Sequence, residues 1–411
     1  MLRRRVLKSI GGVAGATLIY GAGIGRGHAA AQELVVALLA PLSGPWAQQG
    51  RLMQLGAKMA VDDINAAGGI KSLNGAKMRL IVADAGESTE TAVSAAQRLI
   101  ADNPDLSGGT GAWLSSFTIA VTEVTERAHL PWLTVSAADA ITNRGYKYIF
   151  QTTYPGSLQG AAVVPALVKL GEVAGKPPKT VGIITDNTAS PMAFAKPMRE
   201  GGFAKMGLEV VLDMTYTPPL ADATPLVERV RRAHPDLLFF VPTAVSDDKL
   251  FFEKMEEFHL GGGRVPVVSQ GSSLTDAQLP KLIDPKLLEG VMVIVMDWPG
   301  KDLQDLAKRF ESQTGQPWMG QDSLVTYGDM WVFAQAAEMA KSTDREKIAD
   351  AIRQMDLSNG IAGFYAGNHL QFDAAGRRDG AGIMVTQWQG GAPVAVYPTD
   401  DAVAKPIWPK Q

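Results

Sequence analysis

Cysteine is absent from all 411 residues. Disulfides, thiolate metal sites and cysteine nucleophiles are thereby excluded, and so is a lipid anchor on an N-terminal cysteine. Histidine is scarce. Beyond residue 31 only His129, His234, His259 and His369 occur, none paired at the four-residue helical spacing of metal ligands. They sit near expected helix ends, where solvation accounts for them. There is no GxSxG elbow and no GxxxxGK[ST] phosphate loop. The glycines at 261–263 follow a helical stretch and precede a strand, so they read as a helix stop. No enzyme, no metal site and no cofactor is expected. Also missing, after residue 35, is any low-complexity linker.

Basic residues, a glycine-interrupted apolar run and small residues ending at Ala31 give the first 31 positions the form of an export signal. Arg3 and Arg4, followed by Val6, Leu7 and Lys8, resemble a twin-arginine signal; the other reading is an ordinary signal with a basic start. The seven glycines in the run argue against a transmembrane anchor. Cleavage would remove five cations and no acids, taking the formal charge from −3 to −8. An acidic chain argues against nucleic acid and anionic membranes as partners. The remaining 380 residues suffice for two domains, and a soluble periplasmic monomer is expected.

Short apolar runs then alternate with stretches of helical period. ELVVALLAP (33–41) is continuously apolar, as in a strand buried on both faces. Residues 50–67 place Leu52, Leu55, Gly56, Met59, Ala60 and Ile64 on one helical face. KMRLIVAD (77–84), a run near 106–111, LPWLTVS, YIFQTT, TVGIITD, EVVLDMTYT, LLFFVPT, VPVVSQG and GVMVIVMD read as further strands. Helices are expected between them, including 88–102, 116–129, 157–173 and 192–207, and later at 301–314, 322–342 and 344–355. Such alternation implies parallel sheets with right-handed crossovers. The last sixty residues read instead as hairpins around Gly376 and Gly390-Gly391, an antiparallel finish that completes an earlier sheet.

The segments LAPLSGPWAQQGRLMQLGAKMAVDDINAAGGI and NGAKMRLIVADAGESTETAVSAAQRLI resemble the opening of the leucine/isoleucine/valine-binding protein family, the solute-binding components of ABC importers. Further matching stretches are GAWLSSFT (111–118), ITNRGYKYIFQTTYPGSLQG (141–160) and TYGDMWVFAQAAEMAKSTDREKIADAIRQMD (326–356). The resemblance implies an α/β fold of two Rossmann-like lobes with parallel central sheets, joined by a three-stranded hinge that closes on ligand in the cleft. The first lobe is expected from 32–151 with 274–358, and the second from 152–273 with 359–411. Crossings are expected near 150–153, 270–274 and 357–362. Independently, ligands of open α/β sheets bind beyond the carboxyl ends of the strands, which directs attention to the loops there.

Ser115 and Ser116 open a helix after a strand, where free amides and the positive end of the dipole suit an anion. By resemblance, Ser115 holds a ligand carboxylate; a plain helix cap is the other reading. Ala138 and Asp139 lie in a loop that supplies backbone and hydroxyl contacts in the family, though it is about three residues shorter here, so Asp139 either replaces a hydroxyl or only solvates the loop. Trp46, with Gln49 where the family more often has its aromatic residue, Trp113 and Trp298 are candidate walls, or else packing residues. In the second lobe the candidates are Asn187, Ser190, Ala244, Gln270 and Ser272. The stretch SQGSS (269–273) lacks the acid that would neutralise an α-ammonium. Either Asp139, Asp186, Asp247 or Asp322 replaces it, or the ligand has no ammonium, since an unpaired one is costly in a closed cleft. The expected function is delivery of a small carboxylate or amide-like solute to an ABC permease; ligand sensing for a membrane receptor is the alternative.

Overall fold

The computed structural model describes residues 33–173 and 175–407. The expected export signal and its cleavage site lie outside them. Fifteen strands are formed among the described residues: β1 (Leu34–Ala40), β2 (Met78–Asp84), β3 (Leu106–Gly111), β4 (Trp132–Thr134), β5 (Ile149–Gln151), β6 (Thr180–Asp186), β7 (Glu209–Tyr216), β8 (Leu237–Val241), β9 (Val267–Gln270), β10 (Met292–Val295), β11 (Asp356–Leu357), β12 (Leu370–Phe372), β13 (Arg378–Asp379), β14 (Met384–Gln389) and β15 (Ala392–Tyr397). The first lobe holds a five-stranded parallel sheet in the order β2-β1-β3-β4-β5. The second holds seven strands in the order β15-β14-β10-β9-β8-β6-β7, parallel except where β14 and β15 close it as an antiparallel hairpin. A small antiparallel sheet, β11-β12-β13, completes the set.

All seven residues of β1 are buried, as its unbroken apolar run requires. Strand β3 reads LSGGTG and is nearly free of apolar side chains. Its glycines make room for large rings instead: a Cβ on Gly108 would lie 2.2 Å from Phe333, and one on Gly109 2.5 Å from Trp132. Helix Ala47–Ala66 packs against helix Gln321–Ala340 with the same economy, since a Cβ on Gly56 would lie 2.1 Å from the Ser323 carbonyl oxygen.

Two lobe boundaries move from their expected places. Residues 274–298 stay in the second lobe: β10 pairs in parallel with β9, and Leu274, Leu279, Ile283, Leu288 and Trp298 pack in that lobe's core. The chain crosses only after Val295, and helix Gln304–Thr314 returns Ala307 and Phe310 to the first core. The last crossing is equally late. Leu370 and Phe372 pack in the first core, and a bridge joins Gln151 to Arg377, so the crossing falls between Asp379 and Met384. Pattern alone misplaced both boundaries because a short apolar strand carries no mark of which sheet it joins.

The helix expected over 192–207 is also broken. It runs as Ala189–Pro197, then a wide turn at Met198–Gly202 with Gly201 at φ 105°, then Phe203–Lys205. His129, His234 and His259 follow helices with φ of 52°, 46° and 60°, so they end helices in the left-handed region.

Candidate functional site

A cavity of about 440 Å³, counting its mouth, opens between the lobes. The first lobe lines it with Trp113, Leu114, Ser115, Val135, Ser136 and Ala137, all at the carboxyl ends of β3 and β4. The second contributes Ser190, Pro242, Thr243 and the run Gln270–Ser273, at the ends of β6, β8 and β9. Met296 and Gln321 close the hinge side. This is the strand-end placement that open α/β sheets favour.

The first-lobe wall has an unusual backbone. Gly111, Ala112 and Trp113 have φ of 119°, 62° and 47°, a left-handed run that includes two residues other than glycine. Ser136 holds it: its Oγ donates to the Trp113 carbonyl at 2.7 Å. Trp113 Nε1 in turn donates to Asp322 Oδ1 at 3.0 Å. The turn delivers the chain to helix Ser115–Arg127, which starts at the cavity and has no side-chain cap on its first amides. Ser115 Oγ accepts from the Ala138 amide at 3.2 Å, which leaves its own proton to donate. A free hydroxyl proton beside a helix start is the donor set that suits an anion.

No ionisable side chain lines the cavity. Each of the four acids considered for an ammonium has a place of its own. Asp186 accepts from the amides and hydroxyls of Thr188 and Thr243. Asp247 accepts from Leu220 N, Tyr216 and Ser246. Asp139 accepts from the amide and hydroxyl of Ser157. Asp322 lies behind Trp113, fully buried, with Oδ2 unpartnered among the described residues. Burial pushes its carboxyl up to about 7, against the opposing influence of Ser272 and Trp113.

Of the residues singled out from sequence, Trp113, Ser115, Ser190, Gln270 and Ser272 line the cavity. Ser116 follows in the first helical turn outside the lining, and Ala138 meets the site through the amide bound to Ser115. The others do different work. Trp46 turns its ring edge-on to Phe117, 5.7 Å between centroids, in the first core. Trp298 packs in the second core. Gln49 crosses the lobe seam, its Nε2 donating to Asp276 Oδ2 at 2.9 Å; burial pushes the Asp276 carboxyl up to about 6. Asn187 is exposed and bonds Thr217, and Ala244 precedes helix Val245–Glu257 as a buried spacer. Ser136, Thr243, Met296 and Gln321 escaped the sequence reading. Thr243 was one residue from a chosen position, whereas Met296 and Gln321 depend on where the chain crosses.

Among the described residues no group of histidine, cysteine or carboxylate side chains could hold a metal, and no helix is long and apolar enough to cross a membrane.

A family model described as periplasmic binding protein matches residues 33–392. The chain is 28% identical over 390 residues to Leu/Ile/Val-binding protein homolog 8 of Brucella melitensis, covering 92% of this chain and 93% of that one. Solved structures that share the fold include the following three. A putative branched-chain amino acid ABC transporter from Silicibacter pomeroyi gives a TM-score of 0.76 at 21% identity, covering 92% of this chain and 99% of that one. The substrate binding protein LivJ from Streptococcus pneumoniae, in complex with isoleucine, gives 0.74 at 19%, covering 88% and 99%. A solute binding protein from R. palustris, in complex with benzoate, gives 0.73 at 18%, covering 89% and 95%.

Proposed function

Because the chain belongs to the periplasmic binding protein family, and is thus a binding protein and not an enzyme, we propose that it is the solute-binding component of an ABC importer. In this reading it is exported by its N-terminal signal, of twin-arginine type, works as a soluble periplasmic monomer and hands its solute to a membrane permease. The solute is a small organic acid without an α-ammonium group. Its carboxylate meets the Ser115 hydroxyl and the first amides of helix Ser115–Arg127, and hinge closure brings the second wall onto its far end.

One observation supports this ligand class above the rest: every side chain lining the cavity at the ends of β3, β4, β8 and β9 is uncharged, and Arg51, Lys249 and Asp276 line a separate opening between the lobes. An ammonium enclosed there would lose its hydration without a carboxylate to replace it. The indole of Trp113 and the apolar Leu114, Val135 and Met296 suit a flat or apolar body. Among the solved relatives, the benzoate-bound protein fits this chemistry better than the isoleucine-bound one.

A thermal-shift series tests the reading, since a ligand of the native state raises the melting temperature. Benzoate and related aromatic acids are expected to raise it, and leucine, isoleucine and urea to leave it unchanged. A shift with leucine alone would refute the proposal. With a binding acid in hand, Ser115→Ala is expected to weaken affinity by about tenfold, the loss of one charge-assisted hydrogen bond.

A further inference from the structure

We infer that Gln270, oriented by Gln159, selects acids that carry an uncharged hydrogen-bond donor at the end remote from the carboxylate. The inference rests on the carboxylate reading above and adds what the second wall recognises. Gln159 is fully buried on helix Gly156–Val173, and its Nε2 donates to the Tyr154 carbonyl. A carbonyl only accepts, so the nitrogen of this amide is fixed on that side and its oxygen faces Gln270. Gln159 Oε1 then accepts from Gln270 Nε2 at 3.2 Å.

The order carries through to the ligand. An amide bears its donor and acceptor on opposite branches of one carbon. With its nitrogen committed to Gln159, Gln270 keeps Oε1 for the cavity it lines. Among the described residues no group donates to that oxygen. Two residues on, Ser272 also lines the cavity; its Oγ is buried on the side of Asp322 and makes no hydrogen bond of good geometry among the described residues. The second wall is therefore a neutral acceptor of fixed orientation.

Three kinds of ligand tip meet this wall differently. A hydroxyl or amide N–H satisfies Gln270 Oε1 without bringing a charge into the cleft. A plain apolar tip leaves that oxygen desolvated and unpaired. An ether sets oxygen against oxygen. Sites built around such a bond discriminate strongly against analogues that cannot make it. Gln159 touches no ligand; it is a positioning residue that acts through Gln270.

Calorimetric titration of the full-length mature protein with benzoate, 4-hydroxybenzoate and the methyl ether of 4-hydroxybenzoate tests this. The hydroxy acid is expected to bind at least about tenfold more tightly than either of the others. Gln159→Leu frees the Gln270 amide to rotate, so the ratio should fall toward one with benzoate affinity held. A merely structural role for Gln159 would instead lower all three affinities together and keep the ratio. Should Gln159→Leu fail to fold, the unmodified protein and Gln270→Met still decide, the latter by losing the preference. Equal affinity for benzoate and 4-hydroxybenzoate, or an ether that binds as well as the hydroxy acid, overturns the inference and leaves the carboxylate reading standing. Failure of all three acids to bind overturns both.

Discussion

Asp322 is the residue whose position was least expected from its neighbours in sequence. It stands at the start of helix Gln321–Ala340, holds the Trp113 indole and is fully buried with one oxygen unpartnered among the described residues. Burial raises its folded-state pKa to about 7 from 3.8. A raised carboxyl keeps its proton longer in the folded chain than in the unfolded one, so its contribution is fully present below about pH 4 and is lost as pH rises toward about 7. Asp322→Asn keeps the hydrogen bond to Trp113 and removes the titration. The variant is therefore expected to lose about 3 kcal/mol less stability than the unmodified protein between about pH 4.5 and about 7.5. Urea melts across that range measure the difference, and parallel pH profiles would remove Asp322 from the account. Residue type was enough to put Ser115 at a helix start after a strand, because a hydroxyl in that place has a local meaning. Nothing local distinguishes Trp113 from Trp46 or Trp298. All three follow strands, and only packing decides which ring faces the cleft.

At the scale of elements, two contacts carry opposite lessons about candidate residues. Asp139 takes both the amide and the hydroxyl of Ser157, so a first-lobe loop caps the second-lobe helix Gly156–Val173. Removing such a cap costs about 0.5–2 kcal/mol. Asp139→Ala is expected to destabilise by about that amount in chemical melts while changing ligand affinity less than twofold; a large loss of affinity at unchanged stability would return Asp139 to the binding site. Gly56 was placed on the buried face of its helix by period alone, and period was sufficient for that. Why it must be glycine is a matter of the neighbouring helix, whose Ser323 backbone approaches to within the space of a methyl group. Gly56→Ala must push apart a pair of 20-residue helices and is expected to cost about 1–3 kcal/mol, read from thermal and urea unfolding.

For the whole molecule, the three crossings meet at one buried guanidinium. Arg378 Nε donates to the Thr152 carbonyl at 2.7 Å on the first crossing, and Nη1 donates to the Ala366 carbonyl at 2.7 Å. Its Nη2 lies 3.7 Å from Asp297 Oδ1 on the second crossing, while Arg378 itself precedes the third. Both partners are buried, and the arginine lies over the Tyr365 ring at 5.2 Å. Arg378→Met would leave Asp297 buried and unpaired, a loss of about 3–5 kcal/mol. Adding Asp297→Asn is expected to recover some of it, and a double-mutant cycle by urea unfolding measures how much. Additive losses would show that the two groups do not interact.

The sequence by itself determined the elements and the class. Unbroken apolar runs such as β1, helical faces such as that of Ala47–Ala66 and the turns at Gly376 and Gly390-Gly391 are local patterns, and local sterics and solvation suffice to read them. Only the tertiary structure decided lobe membership, because β10 joins the second sheet through pairing with β9 and β14, and the latter lies some ninety positions onward. Late crossings then set which strand ends face the cleft. That placed Met296 and Gln321 at the cavity and sent Trp298 into a core, while the contact across the first crossing gave Asp139 to a helix cap. The chemistry of the wall followed from the same cause: an uncharged lining is a property of side chains gathered from both lobes, and no single segment displays it.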